Sequence, residues 1–363
     1  MDLKQTFFKR FAGFGTVSQD LRESELIIAD VLIVGAGLAG CVISRELALS
    51  GVAVTLIDTT DTIGGKVRSY GCKASDKCAG CGVCLTAGLW HGVEASDKIT
   101  FHPATKLIDL IKEGDFYRAT LKSAEGITIL EGISHVVAAT GFEPTTLERL
   151  GGFAQLEGSG GIITGSQLES LFKERTSTAL FETPPKSIAF IQCYGSRDRR
   201  EHADYCSGVC CAYSTRAAKA VKHFYPECRV VFFYMEMQAV SEGDYFRNLL
   251  DAGIEFVKCR PIKIAGGNPA IVYYDDPSAG NQAYMSFDMI VLSDGIRPAA
   301  QSRQIAEICG LQQSDSGFLR HVDPDNPGVL IAGCALGPKK IAETYAESIA
   351  VAKGILRDRG KRL

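Results

Sequence analysis

Three glycines, Gly35, Gly37 and Gly40, in the spacing GxGxxG constrain this chain more than any other feature. They follow the apolar, β-branched run IIADVLIV at 27–34 and open a helical pattern from Cys41 to Leu49. A second strand pattern runs from Val52 to Asp58, whose acidic residue stands 18 positions after Gly40. This is the layout of a dinucleotide-binding βαβ unit. The first glycine allows the tight turn, the second lets the backbone approach a pyrophosphate, and the third lets the helix pack on the strand. The helix N-terminus then offers N–H groups and a positive dipole end, and Asp58 can accept a ribose hydroxyl.

With 363 residues the chain has room for about two domains. Short strands are expected at 116–121, 127–130 and 135–139, and a connector over 143–185 holds one helix near 166–175. A second βαβ pattern starts at Ser187, with strands at 187–192, 229–235 and 254–258 and helices near 210–224 and 242–252. Strands at 289–292 and 329–332 and a helix from Lys340 to about Arg357 close the chain. The expected fold class is therefore α/β, with two Rossmann-like dinucleotide-binding-type domains. The segment 65–100, rich in Gly and Cys and poor in periodicity, reads as an irregular loop.

The chain is 46% hydrophobic and 22% charged, as in ordinary globular proteins, and its net charge of −3 argues against nucleic acid as a partner. Residues 1–26 form an N-terminal extension without the apolar core of a secretory signal. No stretch approaches the roughly 18 apolar residues of a spanning helix, so a membrane would be reached only through partners. The expected location is the cytoplasm. There, thirteen cysteines point to metal ligands, redox thiols or core residues rather than disulfides.

Gly64-Gly65 beyond Asp58, Ala139-Thr140-Gly141 at a strand end, and Gly328-Val-Leu-Ile-Ala-Gly333 before the final helix extend the dinucleotide pattern. This set resembles the FAD-binding domain of two-dinucleotide-domain flavoprotein reductases such as thioredoxin reductase. The resemblance implies FAD as cofactor and an FAD domain, 27–150 and 288–363, split around a middle domain, 151–287. It places flavin contacts at Gly35, Gly37, Leu38, Ala39, Gly40, Asp58, Gly65, Lys66, Thr140, Gly141, Gly333, Cys334, Ile341 and Ala342.

In such reductases the middle domain carries its own glycine fingerprint for NADPH. Here that turn reads Ile191-Gln192-Cys193-Tyr194-Gly195-Ser196-Arg197-Asp198, with a single glycine, so a nicotinamide cofactor is not expected to bind in the usual way. Cys193 is followed instead by Cys206, Cys210 and Cys211. Four thiolates at a strand end and a helix N-terminus suit a [4Fe–4S] cluster. Cys72, Cys78, Cys81 and Cys84, in C-x5-C-x2-C-x2-C spacing with Gly80 and Gly82 between them, suggest a second cluster. Zinc, or a Cys78/Cys81 dithiol with His91 as base, would use the same residues. Cys41, Cys228, Cys259 and Cys309 read as core residues, Cys334 as a small residue near the flavin, and Arg197, Arg199 and Arg200 as a solvated face.

The strings IQCYGSRDRREHADYCSGVCCAYSTRAAK and GVLIAGCALGPKKIAETYAES resemble HdrA, the flavoprotein subunit of heterodisulfide reductase, and its relatives in the Qmo complex and in bacterial sulfur-oxidising systems. Archaeal members carry extra ferredoxin-like domains, and the chain resembles the short form without them. The resemblance implies an oxidoreductase subunit with FAD and [4Fe–4S] clusters, the best-marked one on Cys193, Cys206, Cys210 and Cys211. It also implies a homodimer, and partners like HdrB and HdrC or QmoB and QmoC. Electrons would pass between flavin and clusters, with a sulfur compound handled by the complex. Two other functions stay open: a stand-alone NAD(P)H-dependent disulfide reductase working through Cys78 and Cys81, and a non-catalytic assembly subunit that retains FAD.

Overall fold

The computed structural model describes residues 25–74, 77–147, 160–174, 179–238, 245–321 and 327–362. Two parallel five-stranded sheets organise the chain. The first has the order Val329–Ile331, His135–Ala138, Val31–Val34, Val54–Ile57, Ile99–His102. The second has the order Ile162–Thr164, Met289–Asp294, Ser187–Tyr194, Arg229–Phe233, Ile254–Val257. Their central strands are buried along both faces, which is why they read as unbroken apolar runs rather than alternating ones. Helices Leu38–Leu49 and Ile341–Arg362 cover the first sheet, and helices Gly165–Glu174 and Cys210–Phe224 pack on the second.

The apolar run at 27–34 is two strands rather than one. Glu25–Ile28 pairs in parallel with Ile127–Ile133 in a separate four-stranded sheet, and Val31–Val34 lies at the centre of the first sheet. The break falls at Asp30. Its carboxylate faces Arg359 at 3.3 Å and its carbonyl accepts from Ser134 N at 2.8 Å, so the one charged residue in the run anchors the change of sheet.

The strand just past the expected boundary at 287/288 belongs to the second sheet. Met289–Asp294 lies between two strands of the middle-domain sheet, so its apolar residues serve the second core. Only after Gly295 does the chain cross back, through Ile296–Pro298, which pairs antiparallel with the outgoing Phe142–Pro144. The chain thus returns toward the first sheet only beyond Asp294. The segment 65–100 is more regular than expected. It contains the helix Ala87–Glu94, held by buried Leu89 and Val93, and the strand Ile99–His102. The N-terminal extension lies almost wholly outside the described residues. Among those residues no helix is long and apolar enough to cross a membrane.

Candidate functional site

A cavity of 840 Å³ lies between the two domains. Gly37, Leu38, Ala39, Asp58, Gly65, Lys66, Thr140, Gly141, Cys334 and Ile341 of the expected flavin contacts line it. Gly35, Gly40, Gly333 and Ala342 do not. Gly35 and Gly40 act behind the wall. At Gly35, with φ +114°, a Cβ would stand 2.3 Å from the Ala139 carbonyl oxygen, and at Gly40 it would stand 1.9 Å from that of Gly35. Gly37 is different, since a Cβ there would meet no atom within 4 Å and would project into open space at the start of helix Leu38–Leu49. Asp58 Oδ2 accepts from Ala36 N at 2.7 Å, and Oδ1 accepts from Thr60 N at 2.8 Å. A carboxylate has capacity beyond these bonds, so a ribose hydroxyl can be added. The cradle fits a dinucleotide: a glycine-lined helix N-terminus, an acidic strand end and cationic Lys66 on the rim.

Gly333, at φ +67°, packs against Ala39, and its N–H donates to Glu347 Oε1 at 2.7 Å. Lys339 ties Glu347 (3.1 Å) to the Gly333 carbonyl (3.1 Å), which fixes the turn carrying Cys334.

The second constellation sits in a strained loop. Among the described residues four non-glycine residues have positive φ, and three of them, Cys193 (62°), Arg197 (55°) and His202 (52°), fall between the end of the strand Ser187–Tyr194, where Cys193 is the last residue but one, and Cys206. Such strain persists only where surrounding structure enforces it, and it concentrates at functional sites. Cys193, Cys210 and Cys211 are buried, and Cys210 stands close enough to both of the others to perturb their thiols. That proximity lowers the Cys193 thiol and brings Cys211 to about 7, while the same proximity and burial push Cys210 up. Cys206 is exposed and accepts from Gly208 N at 3.3 Å. Arg197 is more than a solvated residue. Burial disfavours its cation, but Cys193 and Glu236 outweigh that, which places the guanidinium beside the thiols.

Cys72, Cys78 and Cys84 are exposed and Cys81 is half-buried, lining the cavity. No disulfide joins any of the thirteen cysteines, and Cys41, Cys228 and Cys309 are buried as expected. Among the described residues no three His, Cys, Asp or Glu side chains are gathered tightly enough to hold a single metal ion. A cubane cluster spreads its four thiolates wider than one ion does, and the all-thiol donor sets match its chemistry.

Composition and spacing did not reveal how the cysteine loop is held. The Arg216 guanidinium, on the helix that begins at Cys210, donates from Nε to the Ala79 carbonyl (2.8 Å) and from Nη2 to that of Gly80 (3.3 Å). Lys73 of the loop forms a buried ion pair with Glu169 of helix Gly165–Glu174. A Cβ on Gly71 would stand 2.1 Å from the Phe172 backbone, so the loop lies directly on that helix. The middle-domain turn is filled from within: a Cβ on Gly195 would stand 1.7 Å from Thr145 Oγ1, and Tyr194 Oη donates to the Thr146 carbonyl at 2.7 Å.

Residues 33–99 match the NAD(P)-binding Rossmann-like domain family. Over 181 residues the chain is 35% identical to an iron-sulfur subunit, of the HdrA kind, of the CoB–CoM heterodisulfide reductase of Methanopyrus kandleri, covering 46% of this chain and 28% of that one. Over 321 residues it is 26% identical to the corresponding iron-sulfur subunit of Methanocaldococcus jannaschii, covering 77% and 48%. The chain spans less than half the length of either relative. Among solved structures it is similar to the thioredoxin reductase of T. acidophilum, with TM-score 0.62, 17% identity and coverage of 92% and 99%. It is also similar to the flavoprotein disulfide reductase RclA of Escherichia coli, with TM-score 0.61, 15% identity and coverage of 90% and 71%. The low identities make these likenesses of fold, and the fold is thioredoxin-reductase-like. In sequence the chain is similar to part of these heterodisulfide reductase subunits, and in fold it is similar to the thioredoxin reductases.

Proposed function

We propose that this chain is an FAD- and [4Fe–4S]-carrying electron-transfer subunit of a heterodisulfide-reductase-like complex in sulfur metabolism. The observation that carries the reading is one cavity with a dinucleotide cradle on one wall and both cysteine groups at its border. Cys81 lines the cavity itself, and Val209 and Ala212, which flank Cys210 and Cys211, line its middle-domain side. FAD bound there would exchange electrons in pairs or singly, and iron–sulfur centres would relay single electrons. Gly37, Gly65 and Lys66 would hold the phosphates, Asp58 a ribose, and Thr140-Gly141 and Cys334 the remainder of the cofactor. Cys193, Cys206, Cys210 and Cys211 would hold one cluster, and Cys72, Cys78, Cys81 and Cys84 a second. The arrangement supports a role as a relay between partners like HdrB and HdrC or QmoB and QmoC, in a homodimer within the reducing cytoplasm.

The accessibility of Cys78 and Cys81 beside the cavity also suits a dithiol, and hence a stand-alone NAD(P)H-dependent disulfide reductase. The filled turn at Gly195 counts against it. Anaerobic purification with absorption spectra and iron analysis separates the readings: two clusters give flavin bands and about eight iron per chain, one gives about four, and the disulfide reductase gives flavin without iron. Cys210→Ala should lose one cluster and keep the flavin, and unchanged iron would overturn the ligand assignment.

A further inference from the structure

Two buried carboxylates, Asp294 and Glu169, stand on the middle-domain wall of the cavity. Asp294 ends the strand Met289–Asp294 and is 5% exposed. Ser166 N donates to its Oδ1 at 2.9 Å, and Ser166 Oγ lies 2.6 Å from its Oδ2. Tyr213 Oη lies 3.3 Å from Oδ1 and donates to the Asp294 carbonyl at 2.9 Å. Glycine at 165 makes room for the cluster, because a Cβ there would stand 2.3 Å from Tyr213 Oη and 2.7 Å from Asp294 Oδ1.

Glu169 lies one turn along the same helix. Burial raises its carboxyl too, but its ion pair with Lys73 supplies a counter-charge that Asp294 lacks, and Arg216 adds a weaker one. Among the described residues no basic side chain forms an ion pair with Asp294; the other titratable groups around the two carboxylates are Tyr70, Tyr213 and Tyr194, the last paired with Asp294 across the sheet. Burial raises the Asp294 carboxyl against the opposing hydrogen bonds of Ser166 and Tyr213. A second unpaired negative charge in a buried site is costly, so of two neighbouring carboxylates the one with the cation ionises first and the other retains the proton.

We propose that Asp294 is kept as a neutral acid on the cavity wall and is the proton donor to the electron-accepting group bound there. The proposal rests on the flavin reading above. Were that group to take up two electrons, Asp294 would supply the accompanying proton: its O–H bond would break and the proton would pass to the reduced group. The bonding pair stays on the carboxylate, which Ser166 N–H and Ser166 O–H are placed to hold. On reoxidation the two electrons leave and the proton returns to Asp294. Ser166 Oγ can accept from the acid or donate to the carboxylate, so the site need not rearrange between the two states.

The test is infrared difference spectroscopy of the purified holoprotein at neutral pH, reduced against oxidised. A carboxylic acid carbonyl band should be present in the oxidised state, disappear on reduction, and shift when aspartate with heavy carbon in its side-chain carboxyl is incorporated. It should be absent from Asp294→Asn and retained in Glu169→Gln. A band that ignores the aspartate label, or no band in the oxidised wild type, overturns the proposal, and the label makes the result independent of whether the variants fold. Absence of bound flavin would instead defeat the function reading, while the labelled band in the flavin-free protein would still report the neutral acid.

Discussion

Arg216 Nε donates to the Ala79 carbonyl at 2.8 Å, so the helix that begins with Cys210 and Cys211 holds the loop that carries Cys78 and Cys81. The two cysteine groups are thereby coupled through one side chain across the domain boundary. Charge-assisted bonds to two carbonyls, partly screened by solvent, anchor the loop by about 2 kcal/mol. Arg216→Ala should raise the open population of the loop roughly thirtyfold, seen as faster hydrogen exchange at 78–82. Arg216→Lys should fall between, and unchanged exchange would show that the loop is held elsewhere.

Gly35 and Gly37 should respond to substitution in opposite ways. Gly37 has φ −73° and open space before its Cβ, so Gly37→Val should leave the fold intact and reduce flavin content at least tenfold. Gly35→Ala forces a Cβ against the Ala139 carbonyl at positive φ and should cost about 1–3 kcal/mol of stability. Flavin absorbance per chain and thermal melts distinguish the two. Equal melting losses in both variants would mean that Gly37 is structural.

Thr145 fills the turn at Gly195, the place where a pyridine nucleotide's pyrophosphate would be received in a dinucleotide-binding middle domain. NADPH added alone under anaerobic conditions should leave the flavin absorbance unbleached. Rapid bleaching would restore the stand-alone reductase reading.

Asp198 should give the chain an acid-range dependence of stability. Arg200, which hydrogen-bonds its carboxylate, together with Arg260 lowers the group from 3.8 to about 2 in spite of burial. A depressed folded-state value means the contribution is present above the unfolded value and is lost as pH falls through the folded one. Asp198→Asn should therefore cost about 1 kcal/mol at neutral pH, less than the full shift implies because Arg200 stands in solvent, and the difference should shrink as pH falls from the unfolded value and vanish only below the folded one. A difference that does not shrink between neutral pH and the folded value would assign the effect to the side chain's cap on Arg200 N rather than to its charge.

Local patterns made the two βαβ units, the glycine cradle and both cysteine groups legible, because strand and helix periodicity, tight-turn glycines and ligand spacing operate over a few residues. The pattern did not show which sheet a strand enters. Met289–Asp294 is apolar enough for either core, and only its pairing between Ile162–Thr164 and Ser187–Tyr194 decides the matter. The same holds for the break at Asp30, whose partner Arg359 lies on the last helix.

The sequence by itself determined that this chain builds a dinucleotide cradle beside groups of thiols, since those residue types at those spacings have few other uses. Tertiary structure decided what surrounds them. Arg216 meets Ala79 across 137 positions, Asp294 meets Ser166 across 128, and Lys73 finds Glu169 on the other domain. No local propensity encodes such contacts; they arise when packing the two cores brings the cysteine loop, the helix Cys210–Phe224 and the cavity wall together, and burial then dictates which charges pair and which carboxyl keeps its proton.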